Sequence, residues 1–369
     1  MRPQEREAAE GNLLDRLRKS WFPAAAVVGA LASFIVAALR FRPVPGSASQ
    51  TGKKSTPPAP ARQVMSPDLP AEGFEREYRK SGSLGGSNAA QQFRRVLADI
   101  AVGSGDRIYA LGDDEIRIFE PGGSRVAVWK VVPNAGCLAV GSDGYVCIGA
   151  PGRVEIYDSA GSHTGGFAAG DSAGRPAGIT AVKFFKDEIL AADADARLIR
   201  RCDRKGKQLG LIGTKAKAGH FILPNGWLDF DVDARGVIRA TDTGRHQVAA
   251  WALDGTPLGS FGKFGMSNPE DFVGCCNPVN VAVTHDGKIV TGEKMVARVK
   301  VFEPDGRLLA VIGPENFDAK CIHLHLAVDS KGRILVADPV RREVSLFSLV
   351  TKAADNAPLH AGETAGGIR

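Results

Sequence analysis

The sequence predicts an all-β protein, a six-bladed β-propeller built from four-stranded antiparallel blades. Three observations support this fold. One pattern of short apolar strands and polar turns occurs six times, at intervals of 38, 42, 50, 51 and 45 residues. The strands are rich in β-branched residues, which favours sheet over helix. Glycine makes up 44 of the 369 residues, as expected for many tight turns, because glycine adopts positive φ without steric cost.

Each repeat is recognised by three positions. The first strand ends on a valine: Val102, Val140, Val182, Val232, Val283 and Val328. The third strand ends on an aromatic residue in five repeats and on a cysteine in one: Phe119, Tyr157, Cys202, Trp251, Phe302 and Phe347. A glycine follows four residues later in the first five repeats: Gly123, Gly161, Gly206, Gly255 and Gly306.

The sixth repeat has neither this glycine nor a fourth strand. Residues 74–80 (FEREYRK) alternate apolar and charged side chains upstream of the first repeat. We therefore expect them to supply the outer strand of the last blade and close the ring. The alternative is that they continue the preceding linker.

Residues 21–39 (WFPAAAVVGALASFIVAAL) predict a single transmembrane anchor, because this uncharged stretch would form a helix about 28 Å long. The cations before it predict that residues 1–20 are cytoplasmic and that the propeller faces the extracytoplasmic side of a bacterial cytoplasmic membrane. A cleaved signal peptide is the alternative, although its apolar region usually spans only ~7–15 residues.

Composition divides the rest of the chain. Residues 40–72 are rich in Pro, Ser and Gly and predict an extended linker, whereas residues 73–350 contain the repeats and residues 351–369 predict a disordered tail. Residues 1–72 hold 10 Lys/Arg and 6 Asp/Glu, and the remainder holds 37 and 35. The nearly balanced propeller therefore does not predict nucleic-acid binding.

The repeats resemble those of the NHL-repeat family of β-propellers. The clearest matches are residues 278–302 (PVNVAVTHDGKIVTGEKMVARVKVF) and 326–347 (LAVDSKGRILVADPVRREVSLF). The resemblance covers roughly residues 90–347 and implies the fold. It does not choose a function, because the family includes enzymes, sensors and binding scaffolds. Related propeller enzymes hold a metal ion in the channel through His or through Glu, Asn and Asp.

The residue three positions before each marker valine is expected at the upper end of an innermost strand, beside the channel. These residues are Asp99, Cys137, Ile179, Asp229, Asn280 and His325. Acids also recur after the second strand, at Asp193, Asp242, Glu293 and Asp338. We predict a ligand-binding channel mouth formed by Asp99, Asp229, Asn280, Glu293 and His325. The alternatives are a water-filled channel with polar walls and, for the recurrent acids, capping of the loop backbone or pairing with an arginine such as Arg298.

The cysteines suggest a second feature. Cys276 and Cys321 each lie seven residues before a marker valine, so they occupy equivalent positions in adjacent blades. Three interpretations remain open: a Cys276–Cys321 disulfide, a divalent-metal or redox site that includes Cys275 and His323, and inert buried thiols. The spacing lacks the paired C-x-x-C pattern that would indicate zinc.

The sequence thus favours a membrane-tethered binding scaffold that contacts other membrane or periplasmic proteins through one loop face. The long loops 213–225 and 262–278 belong to that face. A metal-dependent hydrolase or lyase, or a redox-linked site at the channel mouth, is the alternative. Motifs for a nucleophile elbow, a phosphate-binding loop or a zinc-protease helix do not occur in the sequence.

Overall fold

The computed structural model describes residues 74–86, 88, 91–171, 173–215 and 219–350. Within them, twenty-four strands form six four-stranded antiparallel sheets, which confirms the predicted six-bladed β-propeller. The predicted cytoplasmic segment 1–20, anchor 21–39, linker 40–72 and tail 351–369 lie outside these residues. Among the described residues, the structure contains no helix long and apolar enough to cross a bilayer.

The first three blades follow one another along the chain. Blade 1 contains β2 (Asp99–Val102), β3 (Ile108–Gly112), β4 (Glu115–Phe119) and β5 (Arg125–Lys130). Blade 2 contains β6 (Cys137–Val140), β7 (Val146–Ala150), β8 (Arg153–Tyr157) and β9 (His163–Ala168). Blade 3 contains β10 (Ile179–Phe185), β11 (Glu188–Asp193), β12 (Leu198–Asp203) and β13 (Gln208–Ile212).

Blades 4 and 5 repeat this order, and blade 6 takes its outer strand from the beginning of the described chain. Blade 4 contains β14 (Phe230–Val232), β15 (Ile238–Asp242), β16 (Gln247–Trp251) and β17 (Pro257–Phe261). Blade 5 contains β18 (Asn280–Val283), β19 (Ile289–Glu293), β20 (Arg298–Phe302) and β21 (Leu308–Ile312). Blade 6 contains β22 (His325–Val328), β23 (Ile334–Asp338), β24 (Glu343–Leu349) and β1 (Tyr78–Gly85).

Ring closure occurs as predicted, but with different strand bounds. Strand β1 pairs antiparallel with β24 and becomes the outermost strand of blade 6. It starts at Tyr78 and extends to Gly85, whereas the alternating pattern had indicated residues 74–80. The preceding residues instead contact blade 5, where the Arg76 amide donates to the Leu309 carbonyl at 3.0 Å. Residues 74–80 therefore contact two blades, blade 5 through Arg76 and blade 6 from Tyr78 onward.

The hydrophobic core lies between neighbouring blades. One cluster joins Val290 and Val301 of blade 5 to Leu326 and Val336 of blade 6, and all four are buried. The other clusters join neighbouring blades in the same manner. Each sheet therefore buries both faces only when the ring is complete, as expected for radially stacked blades.

The marker glycines fit this packing for two reasons. Gly206 and Gly306 have φ values of +84° and +96°, which disfavour side chains. Each also lies against an aromatic ring in the outer strand of the preceding blade. A Cβ atom at Gly306 would lie 2.6 Å from Cβ of Phe261 in β17, and one at Gly206 would lie 2.4 Å from Cβ of Phe167 in β9.

Candidate functional site

We define the upper face as the inter-blade linkers together with the loops between the second and third strands of each blade. The residues predicted to surround the channel lie there. Asp99, Cys137, Ile179, Asn280 and His325 are the first residues of five innermost strands. In blade 4, Asp229 directly precedes β14. The repeat pattern therefore located the upper ends of the innermost strands correctly.

The structure brings these polar residues together in two neighbouring pairs. His325 Nδ1 of blade 6 lies 3.2 Å from Asp99 Oδ1 of blade 1. Asn280 Nδ2 of blade 5 donates to Asp229 Oδ2 of blade 4 at 3.0 Å. Each pair therefore spans a boundary between blades.

The two aspartates also satisfy backbone amides of the next blade. Asp99 Oδ2 accepts from the Leu138 amide at 2.9 Å, and Asp229 Oδ2 accepts from the Val281 amide at 2.9 Å. An innermost strand has one unpaired edge, and its amides need partners. These carboxylates therefore have a structural role. This role explains why an aspartate occupies the same repeat position in blades 1 and 4, and no ligand is needed to explain it.

An aromatic cluster adjoins the polar pairs. The Trp227 ring stacks on His323 with centroids 3.9 Å apart, and it meets His325 edge-on at 5.8 Å. Burial lowers the pKa of His323 to about 3, so its imidazole is neutral near pH 7. The sequence analysis missed Trp227. The signal was present, because Trp227 precedes Asp229 by two residues, as His323 precedes His325.

Three buried polar atoms of this region have no hydrogen-bond partner among the described residues. They are Trp227 Nε1, His323 Nδ1 and Asn280 Oδ1. Together they offer at least one donor and one acceptor to a small polar molecule or to water. We call Asp99, Trp227, Asn280, His323 and His325 the channel-mouth group.

Asp229, which also lies at the channel mouth, has a raised carboxyl pKa. Burial raises its pKa to about 6, although Lys183 and hydrogen bonds from Val281 and Asn280 oppose the shift. Burial also disfavours the charged form of Lys183, but Asp231 and other nearby carboxylates hold its pKa above the ordinary value. Lys183 Nζ lies 3.6 Å from Asp231 Oδ1.

Glu293, predicted as a ligand-binding residue, lies outside the channel-mouth group and makes other contacts. Its side chain is fully buried and forms ion pairs with Arg298 and, at 3.5 Å, with Lys300. It also accepts a hydrogen bond from the Val273 amide at 3.1 Å. This arrangement agrees with the alternative of loop capping and arginine pairing.

Asp242 and Asp338 act on the linkers in a similar way, whereas Asp193 accepts from the Ala196 amide of its own loop at 3.1 Å and pairs with Arg200. Asp242 accepts from the Ile222 amide at 2.9 Å, and Asp338 accepts from the Asp318 amide at 2.8 Å. In both cases the donor amide lies twenty residues before the acid in the chain, as Val273 does before Glu293. Asp242, Glu293 and Asp338 therefore fix upper linkers to their own blades.

The candidate cysteines do not converge either. All six cysteines are free thiols, so the Cys276–Cys321 disulfide is not formed in the structure. Cys321 is buried and its thiol donates to Asp338 Oδ1 at 3.0 Å. Cys276 instead contacts Cys275, with their sulfur atoms 2.8 Å apart. Over the described ranges, no group of three or more His, Cys, Asp or Glu side chains is arranged to hold a metal ion.

Large apolar side chains are exposed on the upper loops of blades 4 to 6. Phe264 and Met266 belong to the linker between blades 4 and 5, Met295 to the β19–β20 loop, and Ile322 to the linker between blades 5 and 6. Their exposed fractions are 56%, 44%, 56% and 63%. We call these four residues the upper apolar patch. Single exposed apolar residues are ordinary, but four of them on the upper loops of three consecutive blades favour an interaction surface.

Comparison with known proteins supports the fold. No family model matches the chain. A chain from a crystal structure of the mitotic checkpoint complex is 8% identical, with a TM-score of 0.52 over 82% of this chain and 98% of that one. A streptogramin B lyase structure is 12% identical, with a TM-score of 0.49 over 74% of this chain and 98% of that one. At such low identities the likeness concerns the fold alone.

The β-propeller fold is compatible with a binding scaffold. The carboxylates of Asp229 and Glu293 are occupied by structural hydrogen bonds, and the His323 ring is covered by Trp227. The upper apolar patch, by contrast, is open to a partner.

Proposed function

We propose that this protein is a membrane-tethered, extracytoplasmic binding scaffold whose upper apolar patch receives an apolar segment of a partner protein. The observation that carries the proposal is the exposure of Phe264, Met266, Met295 and Ile322 on the upper loops of blades 4 to 6. The resemblance to NHL repeats is compatible with this role, because scaffolds occur in that family.

The linker between blades 4 and 5, which carries Phe264 and Met266, is firmly held, as a preformed binding surface requires. Lys300 is fully buried beneath the linker and donates to the carbonyl of Asp271 at 2.8 Å and of Pro269 at 3.1 Å. Its ammonium group also lies 4.4 Å from the centre of the Phe272 ring. Burial lowers the pKa of Lys300 to about 8.

The chemistry of the patch favours a protein partner. Methionine side chains such as Met266 and Met295 are flexible and polarisable, and they adapt to varied apolar surfaces. Phe264 supplies a large ring of the kind enriched at interface centres. The charge balance of residues 73–369 gives no reason to expect a phosphate backbone as the ligand.

The anchor predicted at residues 21–39 gives the scaffold its location in this proposal. A tether keeps the upper face near other membrane or periplasmic proteins and raises their effective concentration. Modest affinity for the partner would then suffice for binding.

The test uses the full chain in its native membrane and cross-linking of its neighbours. The variant Phe264→Ser/Ile322→Ser removes the two most apolar exposed groups of the patch. The matched control Val126→Ser/Leu258→Ser alters equally exposed residues on the outer strands β5 and β17. We expect the yield of a specific cross-linked protein to fall at least tenfold in the patch variant and to stay unchanged in the control. Equal cross-linking by both variants, or cross-links to lipid only, would contradict the proposal.

A further inference from the structure

Two adjacent thiols of the upper face point in the same direction. Side chains of consecutive residues in an extended chain point to opposite sides. Cys276 has a φ of +64°, which is uncommon for a residue other than glycine, and the chain turns there. As a result the Sγ atoms of Cys275 and Cys276 lie 2.8 Å apart.

The turn that carries the two thiols is held on both sides. The Asn277 side chain donates to the carbonyls of Val273 and Lys294, and its Oδ1 accepts from the Lys294 amide at 2.9 Å. On the other side, the carbonyl of Gly274 lies 2.9 Å from His246 Nε2. The position of the thiols is therefore set by several contacts, and backbone strain at a well-held turn suggests function.

The two thiols differ in access. Cys275 is exposed, whereas Cys276 is 4% exposed. Burial and the contact with Cys275 together raise the pKa of Cys276 to about 11, while Lys294 opposes the shift. Cys275 is thus the thiol that a soluble reagent meets first. The remaining four cysteines are buried, so Cys275 carries the accessible thiol among the described residues.

We propose that Cys275 and Cys276 form a reversible modification site that closes to a vicinal disulfide by exchange with a small disulfide such as oxidised glutathione. A disulfide bond is ~2.05 Å long, so the sulfur atoms must approach by less than 1 Å. The proximity makes the second, intramolecular step fast relative to attack by a second external thiol.

The exchange takes place in two steps. The Cys275 thiolate attacks one sulfur of the small disulfide, forms a mixed disulfide and expels one thiolate. The Cys276 sulfur then attacks the Cys275 sulfur, forms the vicinal bond and expels the second thiolate. The two protons lost by the cysteines reside on the two released thiols. Two electrons pass from the cysteine pair to the small disulfide.

The test uses the full chain in buffers of defined reduced-to-oxidised glutathione ratio. Free thiols are then blocked with N-ethylmaleimide, and the peptide that contains residues 275 and 276 is weighed. We expect this peptide to carry no N-ethylmaleimide and to weigh two hydrogens less than the peptide with two free thiols. After reduction and renewed blocking, the same peptide should carry two N-ethylmaleimide groups. Cys276→Ser should instead accumulate a stable glutathione adduct on Cys275, because the second step is removed. Cys321→Ser is the matched control and should behave like the wild type.

Three results would overturn the inference. The first is a lasting glutathione adduct on Cys275 in the wild type, and the second is a bond between Cys276 and Cys321. The third is an absence of reaction at any ratio. None of these results depends on whether the upper apolar patch binds a partner, so the two proposals can fail separately.

Discussion

The Asp229 carboxylate illustrates how one side chain can support the ring and yet destabilise it. Its oxygens accept a hydrogen bond from Phe230 of its own blade, and the bonds from Asn280 and Val281 join blade 4 to blade 5. Burial nevertheless raises its pKa from an ordinary 3.8 to about 6. A buried carboxylate with a raised pKa imposes a cost above that pKa, because the folded state binds the proton more tightly than the unfolded state does.

This cost should appear as a pH dependence of stability. As pH falls from 7 to 4, Asp229 becomes protonated in the folded chain, and its unfavourable contribution disappears. We expect the free energy of unfolding of the wild type, measured relative to Asp229→Asn, to rise by on the order of 2–3 kcal/mol over this range. Urea unfolding at a series of pH values measures the difference.

Asp233, in the β14–β15 turn of the same blade, supplies the control with the opposite sign. Burial opposes its ionisation, but hydrogen bonds from Val237 and Arg235 hold its pKa below the ordinary value. The stability of the wild type relative to Asp233→Asn should therefore stay nearly constant from pH 7 to 4 and fall only when the pH drops below 3.8 through that lowered pKa. If the difference in free energy of unfolding between the wild type and Asp229→Asn stays constant from pH 7 to 4, the pKa of Asp229 is not raised in the folded chain.

The sequence located some site residues and missed others for physical reasons. Asp99, Asn280 and His325 were placed correctly, because they occupy one position in a repeat whose strands are fixed by burial. Trp227 and His323 share one offset before Asp229 and His325, so spacing placed both rings at equivalent positions, but it did not show that they stack. The approach of Cys275 Sγ to Cys276 Sγ depends on the turn at Cys276, which no spacing reveals.

At the scale of the element, the four-stranded blade depends on its marker glycine. Gly306→Ala introduces a Cβ atom 2.6 Å from Phe261 Cβ and also places alanine at a φ of +96°. Gly287→Ala, in the β18–β19 turn of the same blade, has a φ of +86° but no atom within 4 Å of the new Cβ. The pair therefore separates steric overlap from backbone strain.

We expect Gly287→Ala to lower the free energy of unfolding by about 1 kcal/mol, the usual cost of a left-handed residue that is not glycine. Gly306→Ala should cost about 2–4 kcal/mol, because two blades must move apart to admit the methyl group. Chemical denaturation of both variants gives the comparison. Equal losses would mean that the glycine is needed for its backbone conformation alone.

Strands were easier to predict than their ends. Valines and aromatic residues recur because the first and third strands of every blade face neighbouring sheets, so burial imposes the period. The outer strand has one neighbour fewer, and its pattern is weaker. For that reason β1 was expected at residues 74–80, although it pairs with β24 from Tyr78 to Gly85 with an irregular register between Lys80 and Gly82.

At the scale of the whole molecule, stability depends on closing the ring with a strand from the other end of the described chain. Strand β1 covers the outer edge of β24, and its Leu84 is buried in the cluster that joins blade 6 to blade 1. Residues before it reach blade 5 through the Arg76–Leu309 hydrogen bond and an Arg307–Glu75 ion pair. One segment thus contacts three consecutive blades.

Removing this segment should therefore unfold more than its own blade. A chain that begins at residue 87 exposes the edge of β24 and part of the blade 6–blade 1 core, so we expect a lower and broader thermal transition than in a chain that begins at residue 74. A synthetic peptide of residues 74–86 added to the shortened chain should restore the transition, because β-strand addition supplies the missing hydrogen bonds. A scrambled peptide is the control. An unchanged melting temperature in the shortened chain would show that the remaining three strands of blade 6 are sufficient to close the ring.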